Sequence, residues 1–132
     1  THDMIESYKV ANILHKHHLC DATAAWAEVP QMLFYNNAAM ANRYFKKPLG
    51  VLAEGAAADV IVMDYIAPTP MNEENINSHI LFGMSGHDVV TTIANGKVLM
   101  ENRQLTGVDE EALMAKIREG AATLAGRING YL

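Results

Sequence analysis

The chain has 132 residues, half of them apolar, a formal net charge of −5 and one cysteine. No Lys/Arg stripe marks it for nucleic acid, and no apolar run is long enough for a membrane span. No secretory leader pattern is visible, and Cys20 alone excludes an internal disulfide framework and suits a reducing cytoplasm.

In chain order, the first zone (1–47) reads as helical. Asp3 followed by Glu6 is a capping-box-like pair. Met4, Tyr8, Ala11 and Leu14 recur at helical spacing and make one apolar stripe that ends near Leu19. Asp21 or Thr23 can cap a short second helix through Trp26. Pro30 suits the first turn of a third helix, where its missing N–H costs nothing. That helix is predicted to run to about Phe45, with Lys46 and Lys47 at its end and Pro48 as its stop.

The second zone (48–107) reads as β. "ADVIVMDY" is a short β-branched run bounded by turn formers. Asn95-Gly96 separates two strand-like runs, 89–94 and 97–100. It predicts a type I′ hairpin, because both central residues of that turn need positive φ. "NSHILFGMSG" reads as one helical turn and a Gly-rich loop. The third zone (108–132) is an amphipathic helix. Thr106 and Asp109 form a capping signature, and Leu113, Ile117, Leu124 and Ile128 make its stripe. The order is α, β, α, with about four strands. A sheet that small needs a partner sheet or a helix cover.

The chain begins at Thr1, beside the Asp3 cap. That start at the edge of an element reads as a truncation, with a processed terminus as the alternative.

"LHKHHLCD" (14–21) gathers three histidines, a lysine, a cysteine and an aspartate. On a helix His15 and His18 are i, i+3 neighbours and His17 faces elsewhere. A closed zinc site wants four ligands, usually two of them from a second element, and no second His/Cys pair follows. The cluster therefore reads as polar side chains at a helix carboxyl end, meeting its last carbonyls. A small metal-binding protein is the minor alternative. Asp59 and Asp64 flank "VIVM" on opposite faces and read as turn caps rather than as an acid/base pair. Ser78-His79 and Ser85-Gly86-His87 lack a nucleophile elbow. The Gly-rich pieces lack the phosphate-loop pattern. His79 and His87 each stand alone in their segments. No complete catalytic set is present, and no residue is assigned a catalytic or metal-binding role.

"GVLAEGAAADVIVMDYIAPTPMN" resembles the "G-x-L-x-x-G-x-x-A-D-hydrophobic-V-x-x-D" passage of metal-dependent amidohydrolases. "SHILFGMSGHDVVTTIANGKVLMENRQL" resembles the passage after it in the cytosine/guanine deaminase and chlorohydrolase branch. "THDMIESYKVANILHK" resembles the same branch just after the last barrel strand. The resemblance implies a (β/α)8 barrel with a small β-sandwich built from both chain ends. It also implies a divalent metal, zinc or iron, held in the parent enzyme by residues outside this chain. Such a metal lowers the pKa of a bound water, which attacks an amidine, amide or halogenated carbon.

The expectation is therefore an α+β fragment. Residues 1–47 would be the last helices of a (β/α)8 barrel, 48–107 the C-terminal part of the sandwich, and 108–132 a helix packed on it. Only Thr1, His2 and Asp3 would lie near the mouth of the barrel. The parent would deaminate a purine-like or triazine-like ring in the cytoplasm. The chain itself would hold no cofactor, be inactive and self-associate, with the N-terminal barrel of its own polypeptide as its partner. A stand-alone interaction module without catalysis is the alternative.

Overall fold

A computed structural model describes residues 3–131. Helix α1, Met4–Leu19, starts where the sequence places it: the Asp3 carboxylate accepts the N–H groups of Ile5 and Glu6. It ends in a Schellman arrangement. Cys20 takes the left-handed conformation (φ 52°), its N–H reaches the His17 carbonyl, and the N–H of Asp21 reaches that of Lys16.

The helix expected from Asp21 or Thr23 to Trp26 is a run of turns instead. Asp21 spends its carboxylate on the N–H and hydroxyl of Thr23, a local bond that competes with helix formation. Ala25 then adopts φ 63°, which breaks any helix at a cost of about 1–2 kcal/mol. Helix α2 (28–41) begins with Glu28–Pro30, continues π-wound through Gln31–Asn36 and closes α-helical through Asn37–Ala41. Pro30 lies in its first turn as expected, but the helix stops before Phe45. The Asn42 side chain instead bonds both the N–H and the carbonyl of Leu49, turning the chain toward the sheet.

Strands β1 (Val60–Met63), β2 (Val89–Ala94), β3 (Lys97–Glu101) and β4 (Gln104–Leu105) form one antiparallel sheet in that order. Asn95 (φ 49°) and Gly96 (φ 79°) both have positive φ, as the hairpin prediction requires. Asn102 and Arg103 repeat the device at φ 50° and 62°. Cross-strand register puts Ile61, Thr92 and Met100 on one face and Val60, Ile93 and Val98 on the other.

Between β1 and β2 the chain makes helix α3 (76–83), α-helical through Ile76–Ser78 and π-wound through His79–Gly83. This is more helix than the single turn expected there. A 3-10 turn, Gly86–Asp88, follows and is closed by a Ser85/Asp88 capping box. Helix α4, Glu110–Asn129, is capped by Asp109. Thr106 takes no part in that cap: its hydroxyl bonds the Val98 carbonyl and closes the β3–β4 hairpin.

The core lies in the helical layer. Tyr8, Ala25, Val29 and Leu81 cluster there, with Ala11, Leu33 and Ile80 packed against them. Among the described residues, no sheet residue is fully buried. The expectation that the last helix packs on the sheet is not met within this chain: α4 is exposed along its length, Leu113, Ile117, Leu124 and Ile128 included. No helix among the described residues is long and apolar enough to cross a membrane.

Candidate functional site

A wide concavity, about 640 Å³, lies between the start of α1, the 3-10 turn and one sheet face. Asp3, Gly86, His87, Ile61 and Met100 line it. Asp3 spans the gap. One carboxylate oxygen caps α1, and the other accepts the Gly86 N–H at 3.1 Å. A Cβ at position 86 would run into that carboxylate, so glycine lets Asp3 keep this position. The N–H of Glu6 above all, with those of Ile5 and Gly86 and the charge of Lys9, holds the Asp3 carboxyl below its ordinary range against a smaller effect of lost hydration. The turn is tied onward to β1, since the Asp64 N–H bonds the Asp88 carbonyl at 2.7 Å. Of the residues expected near a barrel mouth, Asp3 thus edges this concavity, while Thr1 and His2 lie outside the described residues.

A second constellation escaped the sequence reading. His79 is 6% exposed. Its Nδ1 lies 2.9 Å from the Tyr65 hydroxyl and its Nε2 lies 3.3 Å from the Thr69 hydroxyl. Each hydroxyl can donate or accept, so both ring nitrogens have a partner. Gly83 lets the Tyr65 ring approach, because a Cβ there would strike the phenol. A smaller hollow of about 290 Å³ adjoins these groups. His79 is isolated in sequence but not in space. The signal that could have found it is the hydroxyl-bearing "DYIAPTP" segment upstream. The buried ring ties Tyr65 and Thr69 to α3.

His15, His17 and His18 are exposed at the end of α1. Among the described residues, no group of three or more His, Cys, Asp or Glu side chains is placed to hold a metal. Asp59 caps the 95–96 turn through the Asn95 N–H at 2.6 Å, and Asp64 pairs with Arg103 at 3.6 Å on the surface. Asp59 caps a turn, as expected of a strand-end residue, whereas the Asp64 side chain makes an exposed ion pair.

Two relatives show what this arrangement belongs to. A 5-methylthioadenosine/S-adenosylhomocysteine deaminase of Thermococcus sibiricus is 45% identical over 98 residues, covering 74% of this chain and 22% of that protein. A 5′-deoxyadenosine deaminase of Methanosarcina mazei is 33% identical over 128 residues, covering 96% of this chain and 29% of that protein. The chain belongs to the amidohydrolase superfamily. No family model matches it. The fold of this amidohydrolase chain is similar to that of an adenosine deaminase from Xanthomonas campestris with bound zinc, at TM-score 0.75 and 24% identity, over 93% of this chain and 28% of that one. The amidohydrolase chain thus spans between 22 and 29% of these two relatives. Its described residues do not gather three or more His, Cys, Asp or Glu side chains that could hold a zinc ion.

Proposed function

We propose that the chain is the C-terminal portion of a metal-dependent aminohydrolase that hydrolyses the exocyclic C–N bond of an adenine ring in a 5′-modified adenosine. The observation that carries this reading is 33% identity across 96% of the chain to a deaminase of which it covers 29%. The relatives are deaminases of adenosine-type compounds, which supports an adenosine-type ring amine over the triazine-like one that residue patterns left open.

The packing supports a larger whole. Met4 and Leu14 lie on the α1 stripe yet are 56% and 57% exposed, as they would be if barrel strands covered them in the parent. The sheet has no buried residue of its own, and small sheets need a cover. In this reading residues 1–47 end the barrel, 48–107 complete a sandwich and 108–132 supply a closing helix. The metal, zinc or iron, would be held by residues of the parent outside this chain. The parent would work in the cytoplasm, where the exposed Cys20 stays a thiol. The isolated chain would be inactive and would self-associate through its exposed stripes.

The same stripes would suit a stand-alone interaction module, and one experiment separates the two. The matching segment of the Methanosarcina mazei deaminase is replaced by this chain, and ammonia release from 5′-deoxyadenosine is measured. A folded chimera that deaminates, beside an inactive isolated chain, supports the proposal. A folded, zinc-loaded chimera without turnover sinks it.

A further inference from the structure

"LHKHHLCD" drew attention for its histidines, yet the residue among them with the most partners is Lys16. Its Nζ lies 2.7 Å from the Ala22 carbonyl and 2.5 Å from that of Ala24. It also sits 4.2 Å from the centroid of the Trp26 ring. The ring is fixed in turn, because its Nε1–H donates to the same Ala22 carbonyl at 3.1 Å. Asp21, at the start of this turn, feels the Lys16 charge. Two carbonyl dipoles, an indole face and a nearby carboxylate thus converge on one ammonium. Trp is the best aromatic partner for a cation, and an ammonium offers three N–H donors with no acceptor. The turn is also tied to α1 by the Asn12 Nδ2, which donates to the Ala25 carbonyl at 2.8 Å, and by the Asp21 N–H, which donates to the Lys16 carbonyl at 3.1 Å.

We propose that the 21–27 turn is an ammonium-binding cage with the Lys16 side chain as its built-in ligand, so that the charge on Lys16 decides whether the turn closes over the core. Ala25, at the end of the caged segment, and Val29 just beyond it both pack in the cluster with Tyr8 and Leu81. Opening the cage therefore uncovers that cluster. The chemistry recognised is a primary ammonium. Backbone carbonyls can also ligate a bare cation, and the sodium chloride arm of the test below separates that case. A quaternary ammonium could meet the ring but not the carbonyls.

Trp26 is the only tryptophan in the chain, so its fluorescence reports on the cage directly. Lys16→Met keeps the stem and removes the charge. Lys16→Ala removes both and leaves room for an added amine. In Lys16→Met, Trp26 emission should shift to the red, and amide exchange over 21–27 should quicken by about ten- to a hundredfold, the scale of one charged hydrogen bond. In Lys16→Ala, n-butylammonium chloride should reverse the emission shift, while sodium chloride and tetramethylammonium chloride at equal ionic strength should not. Wild-type emission and exchange in Lys16→Met would overturn the proposal, because the stem alone would then suffice. Equal rescue by sodium chloride would overturn it too. If Lys16→Ala fails to fold, Lys16→Met decides the matter.

Discussion

The carboxylate of Asp3 meets the backbone N–H of Gly86 across 83 positions of chain, at 3.1 Å. One side chain thereby both starts α1 and fastens it to the turn that leads into β2. Its folded pKa is depressed. The stability it adds is present above the unfolded value, about 3.9, and is lost as pH falls through the folded value. Asp3→Asn should flatten the acid limb of the unfolding curve below about pH 4, and Asp3→Ala should lower the midpoint at neutral pH as well. Thermal melts across pH 2.5–7 would check this; unchanged acid limbs in both variants would contradict it.

Tyr65 and Gly83 are coupled through space. Tyr65→Phe removes one partner of the buried His79 ring, which should cost about 1–3 kcal/mol. Gly83→Ala drives a methyl into the phenol. Removing the hydroxyl relieves part of that clash, so the double variant should lose less than the sum of the singles. Denaturant unfolding in a double-mutant cycle measures the difference; strict additivity would show that the contact carries nothing.

Arg103 holds φ 62° in a turn position that glycine fills without strain. Its ion pair with Asp64 is exposed on both sides and is worth about 0–1 kcal/mol. Arg103→Gly also removes the long, exposed Nε–H bond to the His87 carbonyl at 3.4 Å, so relief of left-handed backbone should offset both losses and leave stability changed by less than about 1 kcal/mol. A marked loss of stability would mean that the pair matters more than its exposure implies.

A Cβ on Gly120 or Gly126 would meet nothing within 4 Å. Gly→Ala at each should raise the stability of α4 by about 1 kcal/mol. Far-UV circular dichroism should show a rise in helicity with no change in the hairpin amide shifts.

Replacing His15, His17 and His18 together with Ala should leave zinc uptake unchanged, as judged by metal analysis after dialysis. Stoichiometric zinc in the wild type that the triple variant loses would restore the cluster as a metal site.

What was legible in the sequence was what local chemistry decides. Asp3 and Asp109 as caps, the Asn95-Gly96 hairpin and the strand "VIVM" each follow from a few adjacent residues. The missed features depend on competition or on distance. Asp21 looked like a cap but bends its own chain through Thr23. Asn102-Arg103 carries no glycine, so the second hairpin gave no signal of its own. His79 looked alone because its partners lie 10 and 14 positions upstream. Thr106 resembled part of a cap, and only the fold shows its hydroxyl closing a hairpin. For the candidate site, Asp3 was singled out for its position, but its bond to Gly86 could not be read from either segment.

The two consecutive turns at 95–96 and 102–103 also set an order of events. Strands β2, β3 and β4 are joined by hairpins whose strand pairing is local, and such units form in about 1–10 μs. Closing the 83-residue span between Asp3 and Gly86 carries a larger loop entropy and belongs late on the path. The C-terminal hairpins would then be ready as a template when α1 arrives, and variants at 95–96 should slow refolding while variants at Asp3 mainly hasten unfolding.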